Sequence, residues 1–298
     1  MFRRVILVFA CLVLSVTSTQ ADVVKKPNDK KKTDALDIIP KDVFAAIAIR
    51  NVAELTKRGD EFIHKTEMKV PMRLSDAYRF VIAHLGIANG LDEDAPAALL
   101  MFNPKFDEKS FVLAVPVADF QAMAANFGLK RDDLVAGKII DREAKKDARS
   151  QPFMRYLSVR GDHLLMGGSP KSIEIAATGK SLREFLPDND RKTLAQDDIV
   201  LFFNSQAIND EWDGILRSLN REFEGLAADE RQALKQVAEA TRELTYAAAG
   251  IRLDKGLGAS VMLQFKGDRS REILTRLQGG EKIKTSLTAL PLGRVLAA

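Results

Sequence analysis

The sequence predicts an α+β protein with a mostly antiparallel sheet and with its helices packed on one face of that sheet. Short apolar runs of strand length alternate with longer segments that have the spacing of amphipathic helices. Several consecutive strands are joined by turns too short to hold a crossover helix, which indicates antiparallel pairing. The chain has 298 residues, 46% of them hydrophobic, which is enough for a sizeable core, and its single Cys excludes a disulfide framework.

The N-terminus is typical of a secretory signal peptide. Arg3 and Arg4 precede an uninterrupted apolar run at 5–16, and small residues stand at Thr19 and Ala21. As a helix this run would be about 18 Å long, which is too short for the ~30 Å hydrocarbon core of a membrane. We therefore expect residues 1–21 to be removed by cleavage after Ala21, leaving an exported, periplasmic or extracellular chain. An uncleaved anchor is the alternative.

A basic flexible linker is expected at 22–34. The stretch 22–33 reads DVVKKPNDKKKT and holds five Lys and one Pro without apolar periodicity. We interpret it as a solvated spacer, and a polybasic contact with a surface is the alternative. Because no later segment reaches 18 uninterrupted apolar residues, the mature chain is not expected to span a membrane.

The first α+β unit is expected at 35–193. Asn51 caps a helix with Glu54 in the capping-box position, and Ser75 caps a second helix that ends at Gly86. The other expected elements are strands at 43–50, 96–104, 110–118, 137–143, 152–160 and 163–168, a helix capped by Asp119 and stopped by Gly128, and a helix that begins at Ser169 and Pro170.

The second α+β unit is expected at 194–298. Asp198 precedes an apolar strand, as Asp42 precedes the first strand of the chain. An apolar stripe over 209–246 predicts two antiparallel helices, with Trp212 and Phe223 facing the core. The remaining expected elements are a hairpin at 247–266, a helix at 269–278 and a strand at 294–298.

An internal duplication is suggested by the order of these elements. The order β-α-α-β-β occurs near 43–118 and again near 199–298, and the second copy lacks the later strands. A chain that stops within a strand at 294–298 suggests a fragment of a longer protein. The alternative is coincidence, because any α+β chain produces some such matches.

Three passages carry a resemblance to a known family. They are IIPKDVFAAIAIRNVAEL at 38–55, VLAVPVADFQAMAANFGL at 112–129 and YLSVRGDHLLMGGSPKSI at 156–173. They resemble a family of uncharacterised exported bacterial proteins, a domain of unknown function with a signal peptide and repeated α+β units. The likeness covers most of 36–298, and it implies no activity and no site residue.

The sequence matches nucleotide-binding motifs only incompletely. The run Gly179-Lys180-Ser181 ends like a phosphate-binding loop, but Glu174 occupies the position of the required Gly and the run follows a helix. We interpret it as the end of that helix. The pair of glycines at 256 and 258 is better explained by a hairpin turn than by a dinucleotide site, because a strand follows.

Candidate catalytic and metal residues are equally sparse. His64, His84 and His163 do not have the spacing of zinc ligands. The acidic pairs Asp132-Asp133 and Asp197-Asp198 are expected to be solvated caps rather than paired acid and base groups. The sequence therefore assigns no catalytic, cofactor-binding or metal residue and implies no cofactor. With three Tyr and one Trp it offers few stacking platforms for nucleic acid.

Two function classes remain. The first is an exported non-enzymatic envelope protein that binds a partner protein, a lipid or a glycan through a sheet face or a helical hairpin. The alternative is a hydrolase that acts on an envelope polymer, which needs two carboxylates ~5–9 Å apart in one cleft. A cleft with convergent carboxylates would favour the hydrolase, and an apolar surface would favour binding.

Overall fold

The computed structural model describes residues 34–67, 70–103, 110–142, 154–211, 243–253 and 257–266. Several expectations lie outside these residues: the signal peptide 1–21, the linker up to residue 33, Trp212, Phe223 and most of the helix pair, the helix at 269–278 and the strand at 294–298.

Seven α-helices and nine strands make up the described part of the chain. The helices are α1 (Ala35–Ile38), α2 (Val52–Lys65), α3 (Leu74–His84), α4 (Phe120–Ala125), α5 (Pro170–Thr178), α6 (Leu182–Phe185) and α7 (Asp188–Leu194). The strands are β1 (Ala45–Ile49), β2 (Ala97–Met101), β3 (Phe111–Pro116), β4 (Ile140–Asp141), β5 (Tyr156–Arg160), β6 (His163–Gly167), β7 (Ile199–Asn204), β8 (Leu244–Leu253) and β9 (Leu257–Phe265).

All nine strands join one sheet in the order β4-β5-β6-β3-β2-β1-β7-β8-β9. Every neighbouring pair of strands is antiparallel. The predicted α+β class with a mostly antiparallel sheet is therefore confirmed. Among the described residues, no helix combines the length and the apolar character that crossing a membrane requires.

The strands expected at 152–160 and 163–168 lie side by side, as β5 and β6. Tyr156 is opposite Gly167 and Arg160 is opposite His163. The turn between them contains Gly161 at a φ of 57°, a conformation that glycine adopts at little cost. The short connection thus places consecutive strands next to each other, as predicted.

The helices lie on both faces of the sheet, which differs from the expected single face. The reason is visible in β6, where the consecutive residues Leu164, Leu165 and Met166 are all buried. Leu165 packs on the first face with α5, and its two neighbours pack on the second face with α4. A continuous apolar run such as this one indicates a strand covered on both sides.

The first face carries the larger cluster of buried side chains. Its strands contribute mainly small and branched residues, and α1, α5, α6 and α7 cover them. Members of this cluster include Leu36, Ala46, Leu100, Leu165, Ile173, Leu182, Leu194, Phe202 and Tyr246.

The three strands on each side of the contact between β1 and β7 follow one another in chain order. Ala46 of β1 is opposite Leu100 of β2 on one side and Phe202 of β7 on the other. Strands β2 and β3 follow β1 outward, as β8 and β9 follow β7. The described strands of both predicted units lie in one sheet, and the duplication stays a prediction.

The strand β8 begins earlier than expected. The helix pair was predicted to reach residue 246, but Leu244 and Tyr246 already belong to β8, and this part of the prediction is wrong. Tyr246 is opposite Asn204 of β7, and its hydroxyl donates to the carboxylate of Asp190 on α7. Pairing with β7 and this buried contact outweigh the local helical spacing.

Candidate binding surface

The helix α2 begins as its sequence predicts. The Asn51 side-chain oxygen accepts a hydrogen bond of 2.8 Å from the Glu54 N–H. The Glu54 carboxylate accepts from Nε of Arg58 at 3.0 Å, one turn further along the helix. The helix then runs to Lys65, with Val52, Leu55 and Gly59 buried.

The start of α3 is held by a residue of α2, where the sequence predicted a cap from Ser75. The helix begins at Leu74, one residue before Ser75. Asp60 Oδ1 accepts from the Leu74 N–H at 2.7 Å, and Asp60 Oδ2 accepts from the Ser75 hydroxyl at 2.6 Å. The hydrogen bond from Ser75 is the main reason that the pKa of Asp60 lies below its usual range. Local sequence signals identify caps within a segment, and this cap comes from another helix.

Close packing also joins the two helices. A Cβ added to Gly59 of α2 would lie 2.2 Å from Leu74 Cδ1 of α3. Glycine at 59 therefore leaves room for the Leu74 side chain. The two contacts, at Asp60 and Gly59, fix the N-terminal end of α3 against α2.

The segment from Val70 into α3 carries a concentration of exposed apolar side chains. No residue of this helix is buried. Seven large apolar side chains are exposed in the described part of the chain, and five of them lie between residues 70 and 81. We call these five residues the α3 surface: Val70, Met72, Leu74, Phe80 and Val81.

The most exposed member of the α3 surface is Phe80, at 68%. Its ring stacks on that of His84, with centroids 6.2 Å apart and an interplanar angle of 10°. On the inner side of the helix, burial raises the pKa of Tyr78, and Ile82 packs against the second face of the sheet. The helix thus has apolar residues on two sides, one facing the protein and one facing outward.

A shallow cleft of about 300 Å³ adjoins the α3 surface. It is lined by Asp60, Glu61, His64, Lys65 and Arg73. The cleft contains two carboxylates, those of Asp60 and Glu61, and an imidazole, that of His64, which are the kinds of group that a hydrolase uses. However, the Ser75 hydroxyl lowers the pKa of Asp60, whereas a general acid at neutral pH needs a raised pKa. The cleft therefore does not favour that alternative.

The acidic pair Asp197-Asp198 is buried, so the expectation of solvated caps is wrong for these two residues. Asp197 is 3% exposed and Asp198 is 4% exposed. Asp198 Oδ1 lies 2.9 Å from Arg50 Nη2 and 3.3 Å from Arg58 Nη1. Its other oxygen accepts from the Leu253 N–H at 2.8 Å. Asp198 therefore joins β1, α2 and β8 rather than capping a strand in solvent.

Asp197 makes its contacts with β8 and β9. Its Oδ1 lies 3.1 Å from Arg252 Nη2, and its Oδ2 accepts from the Ser260 hydroxyl at 3.0 Å. Burial raises the pKa of Asp197 in spite of these contacts. Arginines from distant parts of the chain neutralise the pair, so no local motif could have indicated its burial.

His163 is also buried and fully engaged. Its Nε2 lies 2.8 Å from the Pro96 carbonyl oxygen, and its Nδ1 lies 2.7 Å from Asp162 Oδ1. Ser169 caps α5, as predicted, and its hydroxyl accepts from the Ser172 N–H. Within the described ranges, no three His, Cys, Asp or Glu residues are grouped so that they could hold a metal ion.

The phosphate-loop match at 179–181 is the end of a helix, as predicted. The Gly179 N–H donates to the Ile175 carbonyl, and the Lys180 carbonyl accepts from the Lys41 N–H. A Cβ on Gly179 would lie 2.6 Å from that Ile175 oxygen. The glycine thus serves close packing at the C-terminus of α5. The other candidate glycine, at 256, lies outside the described residues.

Comparison with known proteins gives little further information. No family model matches the chain, and no curated protein matches it. One solved structure, described as crystal form I of TP0453, shares 11% sequence identity, with 84% of this chain and 87% of that chain covered. The TM-score is 0.35, which is too low to support an argument about fold or function.

Proposed function

We propose that this chain is an exported, non-enzymatic protein of the cell envelope and that it binds a lipid surface through the α3 surface. The observation that carries the proposal is the concentration of exposed large apolar side chains between residues 70 and 81. Contiguous exposed apolar patches on a protein are typical of protein or membrane contacts.

Export is supported by the N-terminal sequence alone. The basic start, the apolar run of limited length and the small residues before Asp22 are those of a secretory signal peptide. The chain that remains would carry no Cys, because Cys11 lies in the removed segment.

The chemistry of the α3 surface favours lipid over the other two partners. Its members are aliphatic, thioether and phenyl side chains without hydrogen-bonding groups. Amphipathic helices that lie in a membrane interface carry Phe and Leu on one side and basic residues nearby, and here Arg73 and Arg79 are exposed at the same helix.

The expected strength of membrane binding follows from the apolar side chains that would be buried in the lipid. Moving an exposed Phe, Met or Val side chain into an apolar medium is favourable by roughly 1.5–3 kcal/mol for each fully buried side chain. The basic linker at 22–34 would add an attraction to anionic headgroups that weakens with salt. Together these contributions predict reversible attachment rather than insertion across the membrane.

The test is flotation of the chain from Asp22 with phospholipid vesicles. This chain keeps every described residue. The variant Val81→Ser should reduce the fraction of protein bound to vesicles. Val135→Ser is its matched control, because the two valines are 51% and 50% exposed and only Val81 belongs to the α3 surface. Equal binding by both variants would contradict the proposal, as would the absence of binding by the unchanged chain.

A further inference from the structure

Among the described residues, β9 is an edge strand whose own sequence has none of the features that usually protect an edge. It is the last strand of the sheet, and in the described part of the chain no strand lies on its outer side. Its nine residues read LGASVMLQF and contain no charged residue and no Pro. Natural edge strands usually avoid pairing with other chains by being short, charged, bulged or interrupted by Pro.

The opposite edge of the sheet shows the usual devices. There β4 has only two residues, Ile140 and Asp141. The Asp141 carboxylate forms an ion pair of 2.6 Å with Arg155, the residue that precedes β5. One edge is therefore short and charged, whereas β9 is long and uncharged.

The corresponding strand on the other side of the contact between β1 and β7 provides a comparison for the outer side of β9. The counterpart of β9 across the contact between β1 and β7 is β3. The outer side of β3 is paired with β6 in an antiparallel register, in which Leu113 is opposite Met166. A strand in the corresponding place beside β9 would extend the sheet in the same manner.

We propose that the outer side of β9 pairs with β9 of a second copy of this chain, antiparallel and centred on Val261. In this register Val261 is opposite its own equivalent, Ala259 is opposite Leu263, and Ser260 is opposite Met262. No two like charges meet along the strand. In the two-fold arrangement, each copy pairs through the same surface, the outer side of β9. All nine residues of β9 take part, so the contact adds a complete ladder to each sheet.

The contacts that the β9 side chains make within their own copy do not involve the outer side of the strand, which can therefore pair with a second copy. Ser260 donates to Asp197, and Met262 packs against the first-face cluster, so these two residues attach β9 to its own copy. Val261 and Leu263 are half-buried, and Ala259 is exposed. Pairing with a second copy would cover the exposed part of these residues without disturbing the contacts on the first face.

The experiment measures the molar mass of the chain from Asp22 by sedimentation, from low to high micromolar concentration. A concentration-dependent dimer is expected. Ala259→Lys should raise the dissociation constant at least tenfold, because a lysine on an edge strand opposes pairing. Ala88→Lys is the matched control, since it adds the same charge at an exposed alanine outside the sheet, and it should leave the dimer unchanged.

A charge exchange at the centre of the register tests the geometry. Val261→Lys alone and Val261→Glu alone should each be monomeric, because like charges then face each other across the two-fold axis. An equimolar mixture of the two should dimerise. Thermal unfolding of each variant shows that it is folded. The proposal would be overturned if the unchanged chain were monomeric, and this outcome includes the case in which the β9 edge pairs only with a different protein. Dimers that persist in both Val261 variants would also overturn it.

Discussion

The Ser75 hydroxyl donates a hydrogen bond of 2.6 Å to Asp60 Oδ2, and this contact joins the first turn of α3 to the side of α2. The same carboxylate accepts from the Leu74 N–H, so one side chain replaces the cap that the helix lacks at Arg73. Because α3 carries Phe80 and Val81, Asp60 determines how these apolar residues are presented.

Asp60→Ala should lower the free energy of unfolding by about 1 kcal/mol, the usual cost of losing a helix cap. The pKa of Asp60 is lowered in the folded state, so its contribution is present above the unfolded pKa near 4 and is lost as the pH falls through the lower folded value. Urea unfolding at neutral pH and at about pH 3 measures this difference. Asp42→Ala, at an exposed carboxylate, is the control and should change little at either pH.

Gly250→Ala should destabilise the protein strongly. A Cβ at this position would lie 1.6 Å from Asp197 Oδ2 and 2.7 Å from the Ser260 hydroxyl. The buried carboxylate would have to leave its partners, which costs about 1–3 kcal/mol for each buried polar group left unpaired. Gly258→Ala in the neighbouring strand meets nothing closer than 3.8 Å and should change the melting temperature much less. Similar melting temperatures for the two variants would show that Asp197 is not fixed at this place.

Two buried serines should respond differently to alanine. Ser158 Oγ has no hydrogen-bond partner among the described residues, whereas Ser110 Oγ donates to the Phe102 carbonyl at 3.1 Å. Ser158→Ala should therefore be neutral or stabilising, and Ser110→Ala should cost about 1 kcal/mol, the net value of a typical hydrogen bond. Chemical denaturation measures the free energy of unfolding of both variants. A large decrease for Ser158→Ala would show that this hydroxyl has a hydrogen-bond partner.

The two neighbouring aspartates should respond differently to replacement by asparagine. Burial raises the pKa of Asp197 in the folded state, so this group favours folding when protonated, and its contribution falls as the pH rises from about 4 through the folded value. Asp197→Asn should remove that decline with little loss of stability at neutral pH. Asp198→Asn should cost about 1.5–3 kcal/mol at neutral pH, because Asp198 accepts from Arg50 and Arg58 as a charged group. Parallel stability–pH curves for the unchanged chain and Asp197→Asn would contradict this assignment.

The elements of the fold could be predicted from sequence because their signals are local. Asn51, Asp119 and Ser169 each cap the helix that follows them, as expected. The hairpin expected at 247–266 is present as β8 and β9, with Leu253 opposite Leu257. Capping residues and turn residues act within a few positions of themselves, so a single sequence reveals them.

The arrangement of the elements could not be predicted in the same way. The burial of Asp198 depends on Arg50 and Arg58, which lie about 140 residues away in sequence. Helices cover both faces of the sheet because Leu164 and Leu165, which point to opposite faces, are both buried. From sequence, a short continuous apolar run of this kind can be either a buried strand or part of a buried helix. The α3 surface was missed because its segment reads as an ordinary amphipathic helix, and only the fold shows which of its apolar sides remains outside.

The central claim is that the α3 surface enters lipid, and a single fluorophore at residue 80 tests it most directly. The chain from Asp22 contains no Cys, so Phe80→Cys can be labelled at one site with an environment-sensitive dye, and Asn189→Cys on α7, at the other face, is the control. On addition of phospholipid vesicles we predict a blue shift and an increase in emission at residue 80 and no change at residue 189. An unchanged spectrum at residue 80, or equal changes at both residues, would contradict the account.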